Sequence, residues 1–309
     1  MISSSGTPGP KWVNEGMRIA SFDSQRIGVI LGDSIIDVSD LLTGPRGGWP
    51  PLDMVRFIAS YADDLDTVRA HADQGTPVPL ASVRLETPVP WPSKVIAYPA
   101  NYTKHIAEMA SKNRADINGF FLKAPSSLVG PNGTIVLPEI PGASIHHECE
   151  VAIIIGRGGR HIPEDQALQH VFGYSCLLDM TIRGRQERVM RKSYDTFTPV
   201  GPWITTGDEI ADPGRLDMWL TVNGEIRQEA NTHDLILGME QMISLASTVM
   251  TLHPGDIIAT GTCSGVGPVA DGDTVSIHVA SVGSMDIPVV QGSGGSNVAF
   301  ESSAAESTR

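Results

Sequence analysis

The segment Ile145-His146-His147-Glu148-Cys149-Glu150-Val151-Ala152-Ile153-Ile154-Ile155-Gly156 constrains this chain more than any other. Its apolar, largely β-branched run reads as a core strand. Successive side chains of a strand point to opposite faces, so Glu148 and Glu150 share one face and Cys149 takes the other, as a core residue. His146 lies on the face of the acids. Two carboxylates side by side at a core segment repel each other and resist burial. A hard divalent cation between them is the simplest relief. Further on, Phe172-Gly173-Tyr174-Ser175-Cys176-Leu177-Leu178-Asp179-Met180 ends a second apolar run in a single acid. Glu148, Glu150 and Asp179 form an all-oxygen set, which suits Mg²⁺, Mn²⁺ or Ca²⁺ better than Zn²⁺. A solvent-exposed edge strand is the plainer alternative for the two glutamates.

At 309 residues the chain can bury a sizeable core, and 41% hydrophobic against 18% charged residues is a globular composition rather than a disordered one. The 32 Gly and 22 Pro favour a turn-rich β architecture over a helical bundle. A formal charge of −13 works against non-specific binding to nucleic acid or an anionic membrane. It also obliges a small anionic substrate to find a local positive site. Cys149, Cys176 and Cys263 are far apart and odd in number, which fits a reducing compartment without a disulfide framework. The first ten residues lack the apolar core of a signal peptide, and no apolar run approaches membrane-spanning length. A cytoplasmic protein is the expectation.

Pattern and turn residues divide the chain into a flexible arm (1–16), a small N-terminal β-rich module with a Pro-rich linker (17–92), a main domain (93–290) and a disordered Gly/Ser-rich tail (291–309). Strands are expected at 17–22, 26–31 and 34–38, then helices at 52–62 and 65–70. Pro88, Pro90 and Pro92 forbid a regular helix or central strand in the linker. In the main domain, strands are expected at 94–98, 119–123, 134–137, 150–155, 174–178, 203–205, 217–222, 256–260 and 274–279. Helices are expected at 101–113, 163–170 and 236–250. Asn223-Gly224 is a strong hairpin turn. The class is α+β, mainly β.

Residues three apart on a helix share a face, which pairs His105 with Glu108. A histidine oriented by a carboxylate is a general base poised near neutral pH. On a solvated surface the same two residues would be an ion pair worth about 0.5 kcal/mol. Lys123, Arg183 and Lys192 are candidates to contact a substrate anion. The turn Thr260-Gly261-Thr262 follows a strand and offers N–H groups and hydroxyls to a carboxylate or oxyanion.

Taken in order, these segments resemble the fumarylacetoacetate hydrolase superfamily. The matching stretches are Asn101-Tyr102-Thr103-Lys104-His105-Ile106-Ala107-Glu108, Phe121-Leu122-Lys123-Ala124-Pro125-Ser126, and the acid-bearing strand through Arg157. They continue with the run ending at Asp179, Arg183 with Gln186, the segment 192–202, Val222-Asn223-Gly224 and the segment 254–262. The resemblance implies a mixed β-sandwich or β-roll catalytic domain, commonly homodimeric, with one Mg²⁺ or Mn²⁺ per subunit. It implies Glu148, Glu150 and Asp179 as metal ligands and His105 with Glu108 as the water-activating dyad. Lys123 is implied in catalysis, and Lys123, Arg183, Gln186, Lys192 and Thr262 are implied in substrate binding or in ordering the metal site. The expected activity is hydrolysis of a carbon–carbon bond in a small anionic β-diketo acid, such as an acylpyruvate. A decarboxylase or an enol isomerase or hydratase on the same scaffold is the alternative, and a metal-pocket binding protein without turnover a third. The sequence departs from the family pattern at Gly184, where Asp is usual, at Cys263, where Pro is usual, and at His146-His147, where Asp-Tyr is usual.

Overall fold

A computed structural model of the chain describes residues 16–109 and 114–300. Three short β-branched segments open it as a meander: β1 (Arg18–Phe22), β2 (Arg26–Leu31) and β3 (Ser34–Asp37). Helices α1 (Asp53–Tyr61) and α2 (Leu65–Ala72) follow and bury Met54, Phe57, Ile58 and Val68, the apolar positions that helical spacing puts on one face. The Pro-rich stretch is a connection over most of its length. Its Pro77–Pro79 pairs with β3 as β4, the outermost strand, where a proline interrupts no ladder.

Beyond it come β5 (Val95–Ala97), α3 (Thr103–Glu108), α4 (Ala115–Asn118), β6 (Phe121–Lys123), β7 (Leu128–Val129), β8 (Ile135–Glu139), β9 (Ile145–His146) and β10 (Cys149–Ile155). Next are β11 (Val171–Leu178), β12 (Thr181–Ile182), α5 (Arg188–Lys192), β13 (Thr198–Thr206), β14 (Asp217–Val222) and β15 (Glu225–Asn231). The chain closes with α6 (Met239–Val249), β16 (Ile257–Ala259), β17 (Thr274–Val279) and β18 (Gly283–Gly295). The principal sheet has the order β4-β3-β2-β1-β13-β11-β10-β16-β5-β6, with β7 attached to β13. A second sheet has the order β15-β14-β17-β18-β8, and β12 pairs with β9. The fold is α+β and mainly β.

Strand β10 lies inside the principal sheet and is buried on both faces. Cys149, Val151, Ile153 and Ile155 pack in a core shared with Leu220, Ile277 and Ile287 of the second sheet. Ala152 and Ile154 pack in another core with Phe57 and Ile58 of α1. Burial on both sides is why the strand reads as a continuous apolar run instead of an alternating one.

Four expectations need correction. The N-terminal strands form no separate sheet: β1 pairs with β13, Ile19 opposite Ile204, so they extend the main sheet. The helix expected at 163–170 is a 3-10 helix, Glu164–His170. The helix expected over 101–113 is α3 as far as Glu108, and residues 110–113 lie outside the described residues. The tail expected to be disordered from residue 291 continues β18 to Gly295, and Phe300 is buried. Pro288 and the glycines after it masked this strand, although Met285, Ile287 and Val289 alternate inward as a half-buried strand requires. The expected arm at 1–16 and the residues after 300 fall almost wholly outside the described range.

Asn101 fixes the entry to α3. It is fully buried, and its Nδ2 donates to the Leu237 carbonyl at 3.1 Å and the Thr260 carbonyl at 2.9 Å. Its Oδ1 accepts from the Leu237 N–H at 2.8 Å. Asn101→Ala leaves these backbone groups unsatisfied and is expected to cost about 2–4 kcal/mol, read from the urea midpoint at unchanged slope.

Candidate metal centre and active site

Antiparallel pairing brings the acids together. In the β10–β11 ladder Cys149 faces Leu178 and Glu150 faces Leu177. One step further the Asp179 N–H donates to the Glu148 carbonyl at 3.0 Å. Asp179 is thereby delivered beside the two glutamates, and one carboxylate oxygen from each of the three lies within 4.8 Å of the others. All three residues are buried, and Cys149 points into the opposite core.

Lys123 and Lys192, both buried, enter the cluster as well. Lys123 Nζ donates to Asp179 Oδ1 and to the Phe197 carbonyl. Lys192 Nζ donates to Glu148 Oε2 at 2.6 Å and to Asp179 Oδ2 at 2.5 Å. Burial favours the neutral acid at Asp179, but Lys123 and Lys192 outweigh it and hold the carboxyl below its ordinary range. Burial pulls the Lys192 ammonium down, and Asp179 and Glu148 more than reverse it. Lys123 is lowered, chiefly by burial. Glu150 accepts from the Gly261 N–H at 2.8 Å, and burial together with Asp179 pushes it well above the carboxylate range.

This donor set fits a hard divalent ion. Oxygens bound roughly 2.1 Å from Mg²⁺ or Mn²⁺ lie at most about 4.2 Å apart, so small rotations close the observed spacing. A cation there would offset both the burial and the repulsion from Asp179 that raise Glu150. Glu148, Glu150 and Asp179 would hold it.

The cluster forms one wall of a cleft of about 350 Å³, also lined by His105, Phe121, Arg183, Arg188, Lys192 and Thr262. His105 Nδ1 lies 3.1 Å from Glu108 Oε2, and Glu108 Oε1 accepts from the Gly265 N–H at 2.9 Å. With Nδ1–H given to Glu108, Nε2 is the ring nitrogen left to take a proton. Glu108 stands behind His105 instead of lining the cleft. Lys123 reaches the site only through Asp179. Gln186 does not line the cleft, and its Nε2 donates to the Ala299 carbonyl at 3.1 Å.

The turn after β16 is engaged inside the protein. Gly261, at φ 90°, has no room for a Cβ, which would lie 2.7 Å from the Tyr98 carbonyl. Its N–H serves Glu150, and the Thr262 hydroxyl donates to the Cys149 carbonyl at 3.0 Å. Thr262 therefore meets the cleft as an acceptor.

Sequence reasoning missed Gln228 of β15. Its Oε1 accepts from the Cys149 N–H and from His147 Nδ1, both at 3.0 Å. Its Nε2 donates to Thr262 Oγ1 at 2.8 Å and to the Cys263 carbonyl at 3.0 Å. The backbone partners fix which end of the amide is oxygen, and so fix the His147 proton on Nδ1. Nothing in the exposed hairpin sequence singles this residue out. The paired histidines acquire roles here too. His147 holds Gln228, and His146 Nδ1 accepts from Arg183 Nε at 3.1 Å while its Nε2 meets Ser144 Oγ at 2.8 Å. Burial, with the Arg183 guanidinium alongside, pushes His146 down to about 4, so the ring is neutral at neutral pH. At Gly184, a Cβ would lie 2.3 Å from Gln186 Oε1.

Comparison with known proteins agrees with this geometry. Residues 94–290 match the family model described as the fumarylacetoacetate (FAA) hydrolase C-terminal domain. The chain belongs to the fumarylacetoacetate hydrolase family. It is similar to the maleylpyruvate hydrolase of Aquipseudomonas alcaligenes, 40% identical over 290 residues that cover 88% of this chain and 99% of that one. A crystal structure of maleylpyruvate hydrolase from Sphingobium sp. SYK-6, in complex with manganese(II) and pyruvate, is 51% identical with TM-score 0.82, covering 89% of this chain and all of that one. The human mitochondrial oxaloacetate tautomerase FAHD2B is 35% identical over 75% of this chain and 78% of its own length. Among the described residues no helix is long and apolar enough to cross a membrane.

Glu150→Gln removes a charged oxygen without changing volume. It is expected to weaken Mn²⁺ binding by at least about 100-fold in calorimetric titration, while the far-UV spectrum stays unchanged.

Proposed function

We propose that this chain is a divalent-metal-dependent hydrolase that cleaves a carbon–carbon bond of an acylpyruvate-type β-diketo acid and releases pyruvate. The observation that carries the reading is the convergence of Glu148, Glu150 and Asp179 on one cleft with the His105–Glu108 pair. The Mn²⁺ and pyruvate in the Sphingobium relative support both the metal and the product. The enzyme class is a hydrolase acting on carbon–carbon bonds of ketonic substances.

When bound, the cation would polarise the substrate carbonyls and stabilise the negative charge that develops as the bond breaks. The protein's own part begins at His105, whose Nε2 takes a proton from water while Glu108 and the Gly265 N–H hold the ring in place. Hydroxide adds to the distal carbonyl. The bond between that carbon and the methylene breaks, giving a carboxylic acid and the enolate of pyruvate. His105 returns its proton to the methylene carbon. Lys123 and Lys192 keep Asp179 ionised and fixed throughout. Thr262, held by Gln228, presents a lone pair to a protonated oxygen of the reactants. The same reading takes the protein as a cytoplasmic homodimer, which sedimentation of the metal-loaded chain and cell fractionation test.

A second reading, a tautomerase or decarboxylase of an oxo-acid, is favoured by the likeness to the human tautomerase. Product analysis separates the two: pyruvate plus an acid against carbon dioxide or an isomer. With Mn²⁺ and an acylpyruvate, His105→Ala is expected to lower kcat by about 10²- to 10⁴-fold with little change in KM. A chelator is expected to abolish turnover and added Mn²⁺ to restore it. Undiminished pyruvate release by His105→Ala would overturn the dyad.

A further inference from the structure

The cleft holds more positive charge than its metal chemistry uses. In a chain of net charge −13, three buried acids are met there by Lys123, Lys192, Arg183, Arg188 and Arg191. Four of these cations are committed. The lysines bind Asp179 and Glu148. Arg183 donates to His146 and stands 3.7 Å from Glu148. Arg191 donates Nε to the Gln186 carbonyl at 2.8 Å and Nη1 to the Ile182 carbonyl at 3.0 Å. Arg188 lines the cleft half-buried, and its guanidinium has no hydrogen bond or ion pair among the described residues.

We infer that Arg188 anchors a second carboxylate, so that the substrate is a dicarboxylic acylpyruvate; this rests on the hydrolase reading above. Arg188 opens α5 and Lys192 closes it, four residues on. Residues so spaced share a helix face roughly 5–6 Å apart. Lys192 is bonded into the metal cluster, so Arg188 sits one helical turn away from the end of the cleft where the oxo-acid group is to bind. A diacid whose carboxylates are separated by a few carbons spans that step. Its far end then meets a planar fork that can bind both oxygens at once, in a cleft where water screens poorly. Residue 184, which also lines the cleft, is glycine and adds no acid to it. A monocarboxylic substrate would leave the guanidinium partly desolvated and unpaired.

The test compares wild type, Arg188→Met and Arg188→Lys, each loaded with Mn²⁺, on maleylpyruvate and on acetylpyruvate, which lacks the distal carboxylate. The ratio of kcat/KM, diacid over monoacid, is expected to fall by about 10- to 100-fold in Arg188→Met, mainly through KM. Arg188→Lys should recover part of that loss. An unchanged ratio in Arg188→Met overturns the assignment, whatever happens to absolute rates. If wild type releases pyruvate from neither compound, the hydrolase reading fails, and the anchor is judged by calorimetry with oxaloacetate and pyruvate as probes. Wild type should then prefer the dicarboxylate by a margin that Arg188→Met loses, and equal margins in the two proteins overturn it.

Discussion

The site depends on burying three like charges against one another, and the antiparallel step between β10 and β11 is what forces this. Glu150 opposes Leu177 and the Asp179 N–H reaches the Glu148 carbonyl, so the backbone ladder sets the acids' separation before any ligand arrives. Left uncompensated, such a cluster would protonate or unfold the strand ends. Lys123 from β6 and Lys192 from α5 answer part of the charge from two sides. Removing either one would leave a buried carboxylate facing others of its sign, a loss of several kcal/mol in comparable sites. The lysines and a divalent ion are therefore partners in one balance.

The shared face of Glu148 and Glu150 and the contact of His105 with Glu108 were legible because each rests on a local period. Alternation along a strand puts Glu148 and Glu150 on one face, and the helical i, i+3 step puts His105 beside Glu108. Pairing is not local: Asp179 joined the set through composition and the family resemblance, and the other contacts that depend on pairing were not legible. Lys123 and Lys192 read as contacting the substrate or ordering the metal site, and the partners the sequence left open are Asp179 and Glu148. Gln186 reads as part of the binding set, and its amide turns to Ala299. Gln228 gave no signal, since its importance comes from four partners on two distant segments, 147–149 and 262–263.

The same distinction explains the fold. The meander of β1 to β3 was readable from turns and β-branched runs, but its union with β13 was not, because sheet membership is a long-range choice. Strand β18 was hidden by residues that usually end strands. Pro288 is accommodated in register opposite Thr274, and the glycines beyond it still pair with β8 as far as Glu139.

Chemistry and specificity occupy different kinds of structure here. The acids, Thr262 and the Gly261 turn sit on or directly beside central strands of the principal sheet, tied to a neighbouring strand by its ladder or by side-chain-to-backbone hydrogen bonds. The arginines sit on 183–191, a short turn and helix tied to the rest of the protein by Lys192 at its end, by Arg191 on the Ile182 carbonyl and by Arg183 on His146. A change in the first group disturbs the charge balance of the cluster. A change at Arg188, which no side chain among the described residues engages, leaves the cluster's bonds in place, whereas one at Arg183 reaches Glu148 at 3.7 Å. Relatives that differ in reaction yet keep this sheet are what such a division predicts, since loops beside a fixed scaffold can vary without disturbing it.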